Sequence, residues 1–281
     1  MVWRPGLHRV VRTKPHDGQP GDLGLRLLSA AVLIPFALFV VWKGGVWLGV
    51  SCGVFAALMA YEWVRMTASP SMKSFVTLVI IPFVPVVLGA PVWALWAFAL
   101  CAVLATFTHP LREKRGSEAF GFLYVAGMPL ALYFLRDGAW DGAAVALIFM
   151  GIVWGSDSAA YFTGRSLGGP LLHPDSPSKT WSGAIGGAAF SALCGLLAAY
   201  LTGGSYVAWF AMGALISILA QFGDLFESST KRRHGVKDSS ALVPGHGGLL
   251  DRVDGLGFVC VVSVLVFPFA PALLNVLGLS L

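Results

Sequence analysis

The stretch 221–255 reads QFGDLFESSTKRRHGVKDSSALVPGHGGLLDRVDG. It sets Lys231, Arg232, Arg233 and Lys237 among Asp224, Glu227, Asp238, Asp251 and Asp254, with Gly245, Gly247 and Gly248 around His246. Apolar runs adjoin it on both sides, over 205–226 and 255–279. Each is long enough to cross a hydrocarbon core of about 30 Å. A charged island between two such runs reads as a loop at a membrane face, not as the surface of a soluble domain.

The rest of the chain agrees. Of its 281 residues 57% are hydrophobic and only 12% are charged, and the mean hydropathy is +0.76. A soluble domain carries about 25% charged residues, so this composition excludes that class. The formal charge of +5 would suggest nucleic acid in a soluble protein. Here the basic residues sit in short loops, where they set topology, and no nucleic acid partner is expected. Cys52, Cys101, Cys194 and Cys260 fall in separate apolar segments without a CxxC pair. They read as small packing residues, not as disulfide partners or zinc ligands.

Nine spans can be drawn, at 24–42, 46–64, 75–90, 91–107, 120–136, 142–163, 183–202, 205–226 and 255–279. The expected fold is all-α and polytopic. The first run ends at VVWKGG without a small-x-small cleavage pattern, so it reads as a retained span. With the N-terminus in the cytoplasm and the C-terminus outside, 17 of the 19 lysines and arginines fall on the inner side, and only Lys43 and Arg136 fall outside. Basic loops resist translocation, which is the bias expected of a correct topology. Merging the third and fourth spans, separated only by Ala90-Pro91, would invert every later loop. The expected organisation is a cytoplasmic basic tail (1–22), N-terminal membrane helices (23–141) and a C-terminal catalytic region (142–281). That region carries cytoplasmic loops 164–182 and 227–254. Gly183, Gly186 and Gly187 would let the seventh span pack closely on a neighbour.

Ionisable groups inside spans are costly and mark function by default. Glu62, near the inner end of the second span, is expected to pair with a basic loop residue. Asp157 shares a helical face with Tyr161; a packed polar pair is the alternative to a place in the site. Asp224 and Glu227 are three residues apart, and Asp251 and Asp254 repeat that spacing. Oxygen ligands without cysteine suit Mg²⁺, which takes one or two carboxylates and leaves its other positions to water and phosphate. One aspartate from each pair suffices, and Asp224 and Asp251 are favoured. The plain alternative is a set of salt bridges to Arg232, Arg233 and Arg252. Glycines admit backbone N–H groups to an anion and cations neutralise it, so the island suits a metal-bound polyphosphate. His246 either takes part there or braces the loop. A second loop, HPDSPSKTWSG (173–183), presents Lys179 with Ser176, Ser178 and Thr180 ahead of a helix, where phosphate can bind. It is not a Walker A loop, because Ser178 stands where that motif needs glycine.

The series Ser228, Lys231, Arg232, Lys237, Asp238, then Pro244, His246, Gly247, Gly248, Asp251, Arg252 and Asp254, resembles the signature of the phosphatidate cytidylyltransferase (CDP-diacylglycerol synthase) family. The blocks DSAAYFTGR (157–165) and SPSKTWSG (176–183) are also similar, with Ser178 and Ser182 where the family usually has glycine and glutamate. The resemblance implies a membrane enzyme that joins CTP and phosphatidic acid, with Mg²⁺, and releases pyrophosphate. It implies a homodimer surrounded by membrane lipids, taking phosphatidic acid from the inner leaflet, and a bacterial plasma membrane is expected. Asp224 and Asp251 match the family's metal aspartates and, with Lys237 and Lys179, are the expected catalytic residues. Asp157, Lys179, Lys231, Arg232, Lys237, His246, Gly247, Gly248 and Arg252 are expected to bind substrate. Glu227, Asp238 and Asp254 would orient them. A related lipid kinase, or a cytidylyltransferase for another lipid, is the rival enzyme. A transporter fits poorly, because the carboxylates cluster at one face and no paired broken helices are evident.

Overall fold

The computed structural model describes residues 20–138, 142–240, 242 and 247–279. The basic tail up to residue 19, and Pro244, Gly245 and His246, lie outside the described residues. The chain is mostly helical. Its helices are α1 (Pro20–Lys43), α2 (Gly45–Thr67), α3 (Met72–Ile80), α4 (Phe83–Val87), α5 (Val92–Ala105) and α6 (Arg115–Asp137), then α7 (Gly142–Leu167), α8 (Trp181–Thr202), α9 (Tyr206–Arg233), α10 (Leu250–Val266) and α11 (Pro271–Val276). Two strands, β1 (Leu171–His173) and β2 (Ser176–Thr180), form an antiparallel hairpin inside the segment read as loop 164–182.

Among the described residues six helices are long and apolar enough to cross a membrane: Gly45–Thr67, Arg112–Asp137, Gly142–Leu167, Trp181–Thr202, Tyr206–Arg233 and Leu250–Phe269. The other apolar runs form shorter helices at Leu28–Lys43, Met72–Val87 and Val92–Ala105. The third run is broken. Pro82 has no N–H to continue the ladder, and the Val84 N–H turns back to the Ile81 carbonyl at 3.1 Å. The last run is divided too, by a tight turn at Phe267–Phe269 before α11. Helix α9 continues past the expected span to Arg233. Glu227, Ser228, Lys231 and Arg232 therefore stand on a rigid helix, where a loop was expected.

Helices α7 to α10 pack backbone against backbone. A Cβ placed on Gly183 would lie 2.7 Å from the Ala160 carbonyl oxygen, and one on Gly213 would lie 2.1 Å from that of Ser191. Between α9 and α10, a Cβ on Gly223 would lie 2.6 Å from the Asp254 carbonyl oxygen. Lipid offers helices no hydrophobic drive to associate, so such close approach supplies the packing energy. Around α2 the interior is filled by large side chains, with Trp63, Phe75, Phe83 and Phe122 fully or almost fully buried. Trp93, Trp96, Phe162, Tyr200 and Val207 are exposed on the outside, a surface suited to lipid.

Arg136 joins α6 to the α1–α2 turn at the end away from the charged island. Its guanidinium donates to the Val41 and Trp42 carbonyls at 2.7 Å each, and Asp137 accepts the Gly45 N–H at 2.7 Å. The cation at this position, one of two exceptions to the charge bias, thus closes the α1–α2 turn.

Candidate active site

The site forms where α9 and α10 cross. A Cβ on Gly255 would lie 2.8 Å from Asp224 Oδ1, so this crossing sets the second turn of α10 against the Asp224 carboxylate. Asp224, Glu227 and Lys231 share one stripe of α9, being three and four residues apart. Lys231 Nζ lies between Glu227 Oε2 at 2.6 Å and Asp251 Oδ1 at 2.7 Å, both largely buried. Lys179, at the end of β2, pairs with Asp224 Oδ2. The hairpin is held to α9 by the Ser229 hydroxyl, which donates to Asp175 at 2.7 Å.

The segment before α10 is built around two carboxylates of the protein itself. Asp251 Oδ2 accepts the Gly248 N–H at 2.9 Å and the Ser239 N–H at 3.3 Å. Gly247 has φ +87°, a left-handed conformation that favours glycine, and a Cβ there would lie 3.0 Å from Asp251 Oδ2. A Cβ on Gly248 would lie 1.8 Å from Ser239 Oγ. Glu62, fully buried on α2, accepts from the Leu249 and Leu250 N–H groups at 2.8 Å each. It also accepts from the Ser240 hydroxyl at 2.5 Å and the Ser239 hydroxyl at 3.2 Å.

A cavity of about 760 Å³ opens over these groups. Asp157, Lys179, Asp224, Glu227, Lys231, Asp238, Asp251, Arg252 and Asp254 line it, with Ser176, Ser178, Thr180, Gln221 and Ser228. Its other wall is apolar and comes from α1 and α2, through Leu33, Ile34, Ala37, Val40, Leu48 and Phe55. One space thus offers a charged wall and a hydrocarbon wall.

Residues 24–270 match the family described as cytidylyltransferase. The chain belongs to that cytidylyltransferase family. A Brucella suis protein named phosphatidate cytidylyltransferase is 40% identical over 245 residues, covering 84% of this chain and 89% of the relative. Relatives of the same name from Thermotoga maritima and Staphylococcus aureus are each 32% identical, over 263 and 250 residues. They span 88% and 84% of this chain and 96% and 95% of their own lengths.

Within this cavity the expected residues divide into groups. Asp157, Lys179, Asp224, Lys231, Asp251 and Arg252 share the cavity wall with Glu227, Asp238 and Asp254. Arg232 and Lys237 are exposed beside it, and Arg232 donates to the Val236 carbonyl at 2.9 Å, fastening the turn after α9. Gly247 and Gly248 press against Asp251 and Ser239. The ion pairs of the acidic residues described above run to Lys179 and Lys231, whereas arginine partners were the expected alternative. The Tyr161 hydroxyl accepts from Arg165 at 2.7 Å and is turned to that cation rather than to Asp157. Ser182, in the place of the usual glutamate, donates to the Gly168 carbonyl and contacts the Thr180 hydroxyl at 3.0 Å. Thr180 caps α8 by accepting the Gly183 N–H at 3.2 Å.

Magnesium fits the donor set. No group of three or more His, Cys, Asp or Glu side chains among the described residues is arranged to hold a metal alone, but this ion needs only one or two carboxylates. Glu227 Oε1 is buried without a hydrogen-bond partner, beside the lysine that Glu227 shares with Asp251. That is an uncompensated oxygen in an anionic pocket, which a hard cation would satisfy.

Sequence reading missed two contributions. Glu62 was expected to find a basic partner; it binds backbone N–H groups and serines instead. The only signal was its charge in an apolar helix. The lining by α1 and α2 had none, because their apolar faces look alike on the cavity and lipid sides.

Proposed function

We propose that this protein is a phosphatidate cytidylyltransferase, making CDP-diacylglycerol and pyrophosphate from CTP and phosphatidic acid. The observation that carries the reading is the two-sided cavity. A triphosphate needs clustered cations and polar groups, and a diacyl lipid needs an apolar wall. Here both face one space of about 760 Å³, in a chain of the cytidylyltransferase family.

In the reaction a phosphate oxygen of phosphatidic acid attacks the α-phosphorus of CTP. The new P–O bond forms as the bond to the β-phosphate bridge breaks, and pyrophosphate carries away the electron pair. The nucleophile is already anionic, so no strong general base is needed. Two polyanions must be brought together, and charge neutralisation and positioning dominate. Lys179 and Lys231 rest on carboxylates in the free protein, and their flexible stems let the ammonium groups turn to phosphate oxygens. Arg252 adds a fixed cation, and Glu227 and Asp254 aim these groups. Asp224 and Asp251 would hold Mg²⁺, which supplies neutralising charge to the phosphates. The exposed Lys237 and Arg232 meet the nucleotide as it arrives from water, and His246 is a further substrate-binding residue of this reading.

The same reading has nine spans with the N-terminus in the cytoplasm, the charged end facing the inner leaflet of a bacterial plasma membrane, and a homodimer. The deciding measurement is pyrophosphate release by detergent-purified protein given phosphatidic acid, Mg²⁺ and either CTP or ATP. The reading expects release with CTP and lipid together. ADP formed from ATP with a lipid alcohol, and silence with CTP, would make the protein a lipid kinase.

A further inference from the structure

Glu62 has no role in the reaction as written, yet it is among the most completely engaged side chains near the site. It is 0% exposed and accepts four hydrogen bonds, two from backbone N–H groups at the start of α10 and two from Ser239 and Ser240. No cation pairs with it among the described residues. A carboxylate is a strong acceptor at a helix N-terminus, where free N–H groups and the helix dipole both favour negative charge. What it grips is the segment that aims Asp251. Ser239 gives its hydroxyl to Glu62 and its N–H to Asp251. Gly248, whose N–H also reaches Asp251, is pressed so close to Glu62 that a Cβ would lie 2.9 Å from its Oε1. Leu249 and Leu250, held by Glu62, immediately precede Asp251 on the chain.

We propose that Glu62 is a positioning residue: a carboxylate from the second helix that holds Ser239, Ser240, Leu249 and Leu250 and thereby fixes the direction of the Asp251 carboxylate. The inference rests on the proposed reaction for its kinetic consequence, but the clamp itself can be read without substrate. Glutamine in place of Glu62 is the same size and carries an amide. Whichever way that amide turns, its NH₂ faces either the Leu249 or the Leu250 N–H, and a backbone N–H cannot rotate away as a serine hydroxyl can. Aspartate keeps both acceptor oxygens but is one methylene shorter.

The experiment compares Glu62→Gln, Glu62→Asp and the double variant Ser239→Ala/Ser240→Ala with the unaltered protein. It measures hydrogen exchange over 247–252 without substrate, then kcat and KM for CTP and for phosphatidic acid. Glu62→Gln is expected to speed exchange there about tenfold and to lower kcat about 100-fold. Its KM for phosphatidic acid should stay within about twofold, because the apolar wall is untouched. Glu62→Asp should recover part of kcat, and the double variant should fall between Glu62→Gln and the unaltered protein. Unchanged exchange and unchanged kcat in Glu62→Gln would overturn the inference. So would equal losses in kcat and in lipid KM, the mark of general loosening. If Glu62→Gln does not fold, the double variant decides by the same two readouts. If the unaltered protein releases no pyrophosphate from CTP, the proposed reaction fails, and exchange over 247–252 alone decides whether Glu62 is the clamp.

Discussion

Between α9 and α10 the distance of closest approach is set by glycine against backbone, at Gly223 against the Asp254 carbonyl and Gly255 against the Ala220 carbonyl. Around α2 it is set by rings: Trp63 lies 5.8 Å from Phe120 and 5.9 Å from Tyr124, centre to centre. The first contact is hard and leaves nothing to adjust. The second passes through side chains that can change rotamer. The carboxylates of the site stand at the hard contact, where a helix cannot shift without a clash. The ring-packed half supplies what tolerates more latitude, an apolar wall, together with one anchored carboxylate, Glu62. Its grip on the other half comes through four hydrogen bonds, not shape.

The comparison can be tested by four sets of variants, in decreasing order of effect. Asp224→Asn and Asp251→Asn should each lower turnover at least about 100-fold while the protein still elutes as a single species by gel filtration. Normal turnover in both at ordinary Mg²⁺ would remove them as the metal-holding pair. Gly255→Val comes next. Its side chain meets Asp224, so activity should drop at least about tenfold, whereas Gly151→Ala, with nothing within 4 Å of its Cβ, should leave activity unchanged. Equal behaviour of the two would show that close approach at Gly255 is not what holds the site. Lys179→Ala removes a charge-assisted contact and should raise the KM of one substrate about tenfold; unaltered kinetics would make the hairpin structural. The smallest effect belongs to the apolar wall. Ala37→Trp fills part of the cavity and should raise the phosphatidic acid KM about fivefold, leaving CTP kinetics as they were. A matching change in the CTP KM would mean that the cavity is not divided as proposed.

Much of this was legible before any coordinates. The apolar runs located the long helices, because hydropathy over some twenty residues is a local property. The carboxylate spacings at Asp224/Glu227 and Asp251/Asp254 identified residues that line one cavity, because helical periodicity fixes which side chains share a stripe. Pro82 broke the third run and Pro271 opens α11, but where those helices would stop was not evident from hydropathy alone. The extension of α9 to Arg233 was hidden by its polar last turn, which reads like a loop.

The sequence by itself determined the membrane class, the placement of most helices and the chemical inventory of the site, all of which depend on neighbours along the chain. Tertiary structure alone decided the partners. Glu62 meets Leu250 across 188 residues and Lys179 meets Asp224 across 45, and no local pattern encodes which donor a buried carboxylate will find. A charge withdrawn from water must be satisfied by whatever packing brings within reach. That choice is made when the helices close on one another.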